Sequence, residues 1–259
     1  MTVDIDFHLT ALAKSLIITP EFKQRVDTSI SHLKENLWGA FQDRLVEVVN
    51  IGSYDRETFM QQDKEADVDM LVVFKKAEFK PETFLKQTRE VCERKYSRSE
   101  IYQDHPTIVI DMDHVKFEIV PSWLVGGNTV KIPAPRTADL RWIDSAPKDF
   151  KTVLNKRDAT YKGLIIPLIR IYKYWNCLNG KAFVSFELER FIVNKTLNGS
   201  SLRDYFMSLG AYLDELAKTD QQKKAVSGLK EKIRRLKALE TNKIPEYIGQ
   251  EINSFLPTP

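Results

Sequence analysis

Asp67 and Asp69 stand at i and i+2 at the head of the apolar run Met70-Leu71-Val72-Val73-Phe74. On a β-strand, residues two apart point to the same face, so the two carboxylates converge on one spot. Side by side they repel and raise one pKa. A divalent cation relieves that repulsion, and hard oxygen donors of this kind suit Mg²⁺. Two-metal phosphoryl chemistry needs a further carboxylate from a neighbouring strand. Glu118, inside Val115-Lys116-Phe117-Glu118-Ile119-Val120-Pro121, is the first choice, because Phe117 and Ile119 then face a core and Glu118 faces away. Asp111 and Asp113 are its rivals, with Asp113 assigned to a turn.

Gly52-Ser53 lies just before this strand. Glycine lets backbone approach an anion with no Cβ in the way, and the Ser53 hydroxyl with the following amides can donate to phosphate oxygens. A Gly-Ser pair alone is ordinary strand-to-helix punctuation, and an isolated Asp-x-Asp is nearly as uninformative. Their conjunction, with a later strand carboxylate, is far more specific.

The elements that must position these groups are readable. Phe22, Val26, Ile30, Leu33 and Leu37 recur at helical spacing after Pro20. Arg44 to Ile51 is a strand stopped by Gly52, and Asp67 to Phe74 is the next. Lys80 to Tyr96 reads as a helix opened by Pro81. Thr107–Met112 and Val115–Val120 flank an Asp113-His114 turn, and Gly126-Gly127-Asn128 and Pro133-Ala134-Pro135 are loop. From about Arg136 the texture becomes helical. Tyr161 to Cys177 is apolar with Pro167 as a kink or a boundary; Ser185–Val193 and Ser201–Ala217 are further helices. Val226, Leu229, Ile233, Leu236 and Leu239 stripe a last, basic helix. The expected division is an α/β lobe over 1–135 and a helical lobe over 136–259, with an N-terminal helix packing on both.

Composition narrows the class. With 259 residues, 42% hydrophobic and 29% charged, the chain is an ordinary globular protein with room for a real core. A net charge of +3, from 39 basic and 36 acidic side chains, is too balanced for a nucleic-acid coat. Cys92 and Cys177 are far apart, so no disulfide framework or zinc cluster is expected. His105 and His114 do not fall at metal-ligand spacing and read as structural. The N-terminus lacks a signal pattern, and no run approaches the roughly 18 apolar residues of a membrane span. Cytoplasmic localisation is the expectation.

In the helical half, Arg170 and Lys173 share a face of an apolar helix, and buried cations there need an anionic partner. A triphosphate or a structural carboxylate would serve. Trp175 and Tyr174 read as core. Ser185 suits an N-cap, and Phe186 on spacing alone reads as core. Lys223 to Lys237 reads as a solvated basic face, with nucleic-acid contact as the second reading.

Ile51-Gly52-Ser53 through Asp67-Val68-Asp69, with Phe117-Glu118-Ile119, resembles the active-site signature of DNA polymerase β-like nucleotidyltransferases. Gly52-Ser53-Tyr54-Asp55-Arg56-Glu57-Thr58 and Phe117-Glu118-Ile119-Val120-Pro121-Ser122 are similar to the forms found in bacterial cGAS/DncV-like nucleotidyltransferases (CD-NTases), relatives of oligoadenylate synthase. Ile169-Arg170-Ile171-Tyr172-Lys173-Tyr174-Trp175-Asn176 and Ser185-Phe186-Glu187-Leu188-Glu189 resemble that group's helical-lobe motifs. The likeness runs over about residues 45 to 195.

The resemblance implies an α+β fold: a polymerase β-like lobe of mixed sheet and flanking helices joined to a helical lobe. It implies a synthase that joins NTPs into a cyclic or linear oligonucleotide second messenger in antiphage (CBASS-type) signalling. Carried over, Asp67, Asp69 and Glu118 are the catalytic carboxylates and bind two Mg²⁺, replaceable by Mn²⁺. Gly52 and Ser53 hold the triphosphate, Lys173 and Ser185 reach it, and Phe186 stacks on a base. The third carboxylate is usually Asp in this group; Glu118 is one methylene longer. The partners implied are NTPs, with an effector that binds the product rather than this chain, no membrane, and a monomeric state. The alternatives are transfer to an RNA, protein or small-molecule acceptor, and a catalytically silent nucleotide-binding member.

Overall fold

A computed structural model describes residues 4–76, 79–104, 106–134 and 141–259. His105, Pro135 and the expected division at 135/136 lie outside the described residues. The chain forms two compact units, one of Thr19–Phe59 with Glu65–Thr152, the other of Met1–Ile18, Met60–Lys64 and Val153–Pro259.

The first unit is a sheet backed by helices. Its helix Pro20–Phe41 (α2; α1 belongs to the other unit) starts where the Thr19 side chain accepts the Phe22 amide at 3.2 Å, with proline in the first turn where no N–H is missed. Its buried stripe is Val26, Ile30, Leu33, Leu37 and Phe41. There follow β1 (Leu45–Asn50), the one-turn helix α3 (Gly52–Asp55), β2 (Asp67–Phe74), α4 (Pro81–Lys95), β3 (Glu100–Asp104), β4 (Thr107–Asp111), β5 (Lys116–Gly126), β6 (Thr129–Pro133) and β7 (Trp142–Ser145). The strand order is β1-β2-β5-β4-β3, with β6 pairing the far half of β5 and β7 pairing β6.

One pairing matters most. β2 and β5 are parallel, with Asp67 opposite Lys116 and Asp69 opposite Glu118. Period-2 alternation then divides the sheet. Val68, Met70, Val72, Phe74, Phe117 and Ile119 are all buried on one face. The Phe74 ring there lies 5.0 Å from Phe41 of α2 and 4.6 Å from Phe84 of α4. The opposite face carries Asp67, Asp69 and Glu118. Behind them on that face is a small apolar cluster of Leu71, Val73, Val120 and Val130, with Val49, Ile51, Leu124 and Ile132 packed on it.

The second unit is helical: α1 (Ile5–Ser15), the end of α5 (Pro147–Thr160), α6 (Ile165–Leu178), α7 (Ser185–Asn194), α8 (Leu202–Tyr212), α9 (Asp220–Thr241) and α10 (Ile248–Asn253). α6 is its axis, buried without interruption from Leu168 to Asn176. Its N-terminus has no local side-chain cap. Instead Asp158 Oδ1 accepts the Ile165 and Ile166 amides at 2.8 and 3.0 Å, satisfying two orphan donors. Gly210 of α8 lets α9 approach, since a Cβ there would meet Ile233 Cδ1 at 2.2 Å.

Pro167 marks a boundary, the second of its two readings. It sits in the first turn of α6, and the break is at Tyr161–Leu164, where Lys162 and Gly163 take φ of +56° and +77°. The N-terminal region is two helices rather than one. α1 packs on α6, α8 and α10, whereas α2 packs on β1 and α4. β7 adds to the sheet, and the sheet unit runs on to Thr152, inside α5. Among the described residues no helix is long and apolar enough to cross a membrane.

Candidate active site

Register brings the carboxylates together. Asp67 and Asp69 share a face of β2, and Glu118 enters that face from β5 beside Asp69. Burial, then the charges of Asp67 and Asp69, a hydrogen bond with Asp67 and the charge of Asp104 push the Glu118 carboxyl up to about 8. The cluster therefore holds a proton more tightly than a free carboxylate does. Among the described residues, no group of three His, Cys, Asp or Glu side chains already stands in the arrangement of a metal site. The three carboxylates nonetheless form an all-oxygen, like-charged donor set, which fits a divalent cation such as Mg²⁺.

Gly52 is built for this spot. Its φ is +71°, and a Cβ on it would lie 1.7 Å from Asp69 Oδ2. Only glycine lets the turn pass against the carboxylate. The Ile51 amide donates to the Asp69 carbonyl at 2.9 Å, fixing that approach. The Ser53 carbonyl accepts from the Thr58 and Phe59 amides at 2.9 and 3.1 Å, closing the loop behind α3.

Sequence reasoning quoted Tyr54, Arg56 and Thr58 but gave them no role. They brace the turn. The Tyr54 hydroxyl donates to Asp27 Oδ1 at 2.8 Å, and burial together with that carboxylate raises its pKa well above the ordinary phenol value. Arg56 is buried with its guanidinium 5.3 Å from the Phe150 ring centre, and Thr58 is fully buried. The one-residue alternation of Tyr54, Arg56 and Thr58 was a visible signal. Asp27, in α2, had none.

Of the rivals to Glu118, Asp111 pairs with Lys116 at 3.2 Å and Asp113 is exposed in the turn. His114 contacts Ser29 Oγ at 3.2 Å, and burial and the Arg25 charge lower its pKa, so it is structural as expected.

Lys173, Ser185 and Phe186 lie in the helical unit. Lys173 is buried, and its Nζ pairs with Glu189 Oε1 at 3.0 Å, both side chains almost fully enclosed. Its anionic partner in the fold is thus a structural carboxylate that sequence reasoning did not assign. Ser185 is not an N-cap: Val184 holds that position, and Ser185 opens the first turn of α7. Phe186 is 45% exposed, so its helical spacing does not make it core. Trp175 and Tyr174 are buried, as read. Cys92 is buried and Cys177 half-buried, both free thiols, with burial pushing them up to about 12 and about 11. On α9, Lys230 pairs with Asp214, Lys232 with Glu251, and Arg234 and Arg235 with Glu231, so much of the basic face is neutralised within the unit.

The family model of the Second Messenger Oligonucleotide or Dinucleotide Synthetase domain matches residues 1–158, which include the turn and all three carboxylates. The chain belongs to this family. The synthetase is accordingly a nucleotidyltransferase, and its fold is that of the bacterial cGAS/DncV-like enzymes. Escherichia coli MS115-1 CdnC, solved with ATP, superposes with a TM-score of 0.76 at 12% identity, over 99% of this chain and 98% of that one. Bradyrhizobium diazoefficiens CdnG, in complex with GTP, gives 0.73 at 13% identity, over 97% of each chain. Vibrio cholerae DncV, a cyclic AMP-GMP synthase in complex with the linear intermediate 5′ pppA(3′,5′)pG, gives 0.65 at 13%, over 98% and 85%. No curated protein matches the synthetase in sequence. At these identities the solved structures establish its fold.

Proposed function

We propose that the synthetase uses Mg²⁺ to join nucleoside triphosphates into a cyclic or linear oligonucleotide second messenger, serving bacterial antiphage signalling. The observation that carries this reading is the convergence of Asp67, Asp69 and Glu118 on one sheet face against the Gly52 backbone, in a chain of the synthetase family. Fold neighbours solved with ATP, with GTP or with a linear dinucleotide intermediate agree with it.

Asp67 and Asp69 would hold two Mg²⁺ between them, and Glu118 would complete the site nearest the attacking ribose hydroxyl. Bound there, the ions supply Lewis acidity to the hydroxyl and charge neutralisation at the α-phosphate and leaving pyrophosphate. Glu118 Oε, once deprotonated, would accept the hydroxyl proton. The Gly52–Ser53 turn cradles triphosphate oxygens with its amides and the Ser53 hydroxyl. In the helical unit, the family likeness assigns Ser185 to the triphosphate and the exposed Phe186 ring to a base. Lys173, which the likeness also assigns to the triphosphate, would have to leave its enclosed pair with Glu189 to reach it.

The test is mass spectrometry of products from mixed ATP, GTP, CTP and UTP with Mg²⁺ or Mn²⁺. Phosphodiester-linked products formed without any added acceptor support the reading. Products seen only with an RNA, protein or small hydroxyl acceptor replace it with the acceptor-directed alternative.

A further inference from the structure

Met60–Lys64 lies in sequence between Ser53 and Asp67, yet it packs with the helical unit, not the sheet. Asp63 anchors it. Asp63 Oδ1 lies 2.5 Å from Lys181 Nζ, with the two side chains only 8% and 30% exposed. The Cys177 thiol, on the last turn of α6, hydrogen-bonds to the same carboxylate.

Lys181 is held there against its own backbone preference. It follows α6 with φ of +51°, next to Gly180 at +68°, and left-handed backbone costs a residue with a Cβ roughly 1–2 kcal/mol. Buried Asn176 enforces the bend. Its carbonyl accepts the Lys181 amide at 2.8 Å, and its side chain bonds the Phe183 carbonyl and amide at 2.8 and 3.0 Å. Lys181 then leads through Ala182–Val184 directly into Ser185 and Phe186.

Buried ion pairs are poor sources of stability, and their best-attested use is to fix register. Strained backbone persists where its surroundings over-determine it. The ion pair ties the short segment that connects the Gly-Ser turn to the carboxylate strand to this strained turn after α6. We infer that Asp63 and Lys181 are positioning residues for nucleotidyl transfer, pinning the segment that runs from Ser53 to Asp67 without touching substrate. The inference rests on the function proposed above.

The test compares wild type with the double variant Asp63→Asn/Lys181→Met, which leaves no unpaired buried charge, and with Lys181→Arg, which keeps the pair. Steady-state pyrophosphate release, melting temperature and hydrogen–deuterium exchange of peptides covering residues 60–66 are measured on each. In the double variant kcat should fall on the order of 10²-fold, as displacement of reacting groups by about 1 Å does. Its KM should stay within about twofold, because ground-state binding is not the lost interaction. Exchange at 60–66 should quicken with melting nearly unchanged, and Lys181→Arg should retain most of kcat. Wild-type kcat in the double variant, unchanged exchange, or a kcat loss that Lys181→Arg shares in full would overturn the positioning role alone. Wild-type protein that turns over no NTP overturns the functional reading and the positioning role with it.

Discussion

Replacing Glu118 with Gln should make the protein more stable in alkaline, metal-free solution while stopping its chemistry. In the folded chain the Glu118 carboxyl is raised from the ordinary 4.5 to about 8, by burial first and by Asp67 and Asp69 next. Between those two values the unfolded chain has lost the proton and the folded chain keeps it. Folding therefore takes up a proton, and stability falls as pH rises through this window, levelling off above about 8. At ~1.36 kcal/mol per unit the lift corresponds to about 5 kcal/mol. The side chain keeps part of its surface in water, and screening there leaves about 1–2 kcal/mol. Glutamine has nearly the same shape and no charge to lose. In calorimetry with EDTA at about pH 8.5, Glu118→Gln should melt about 2–8 °C above wild type, the range that such an energy gives for a chain this long. The gap should close as pH falls below 4.5, where Glu118 becomes protonated in both states. Added Mg²⁺ should raise wild type more than the variant, since binding to the folded state alone stabilises it. A variant that melts at or below wild type at the alkaline pH, or a gap that ignores pH, would refute the reasoning.

Two further substitutions probe the scaffold of the site. Gly52→Ala forces a Cβ to within 1.7 Å of Asp69 Oδ2 at a φ of +71°; pyrophosphate release should drop on the order of 10²-fold, with a stability loss of about 1–3 kcal/mol in urea titration. Asp158→Ala leaves the Ile165 and Ile166 amides unbonded at the start of buried α6; chemical denaturation should show a loss of about 1–2 kcal/mol, while the KM for NTP in the surviving folded protein stays near wild type.

What sequence could reveal followed the range of the interaction. β2 begins and ends at Asp67 and Phe74 as read, because an apolar run behind two carboxylates is a local pattern. Glu118 was legible for the same reason: Phe117 and Ile119 are both fully buried, so alternation turns Glu118 to the other face. That β5 lies parallel beside β2, setting Glu118 against Asp69, depends on a crossover through α4, β3 and β4 that no local pattern encodes. Short, polar β3, with only partly buried or exposed side chains, has no clear apolar alternation. Long-range polar partners were equally invisible. Tyr54 finds Asp27, Lys173 finds Glu189, and Asp158 caps a helix seven residues on, each a matter of packing rather than spacing. Phe186 shows the converse error, since helical spacing marks a face but not which face is covered.

The most direct measurement is Mg²⁺-dependent pyrophosphate release from NTPs with no acceptor added, in wild type and in Asp69→Asn. Asp69 faces Glu118 across the β2–β5 register and touches the space left open by Gly52. Wild type should turn over, a folded Asp69→Asn protein should lose at least about 10³-fold, and phosphodiester-linked products should form in the wild-type reaction only. Full turnover in Asp69→Asn, or turnover indifferent to EDTA, would contradict that reading.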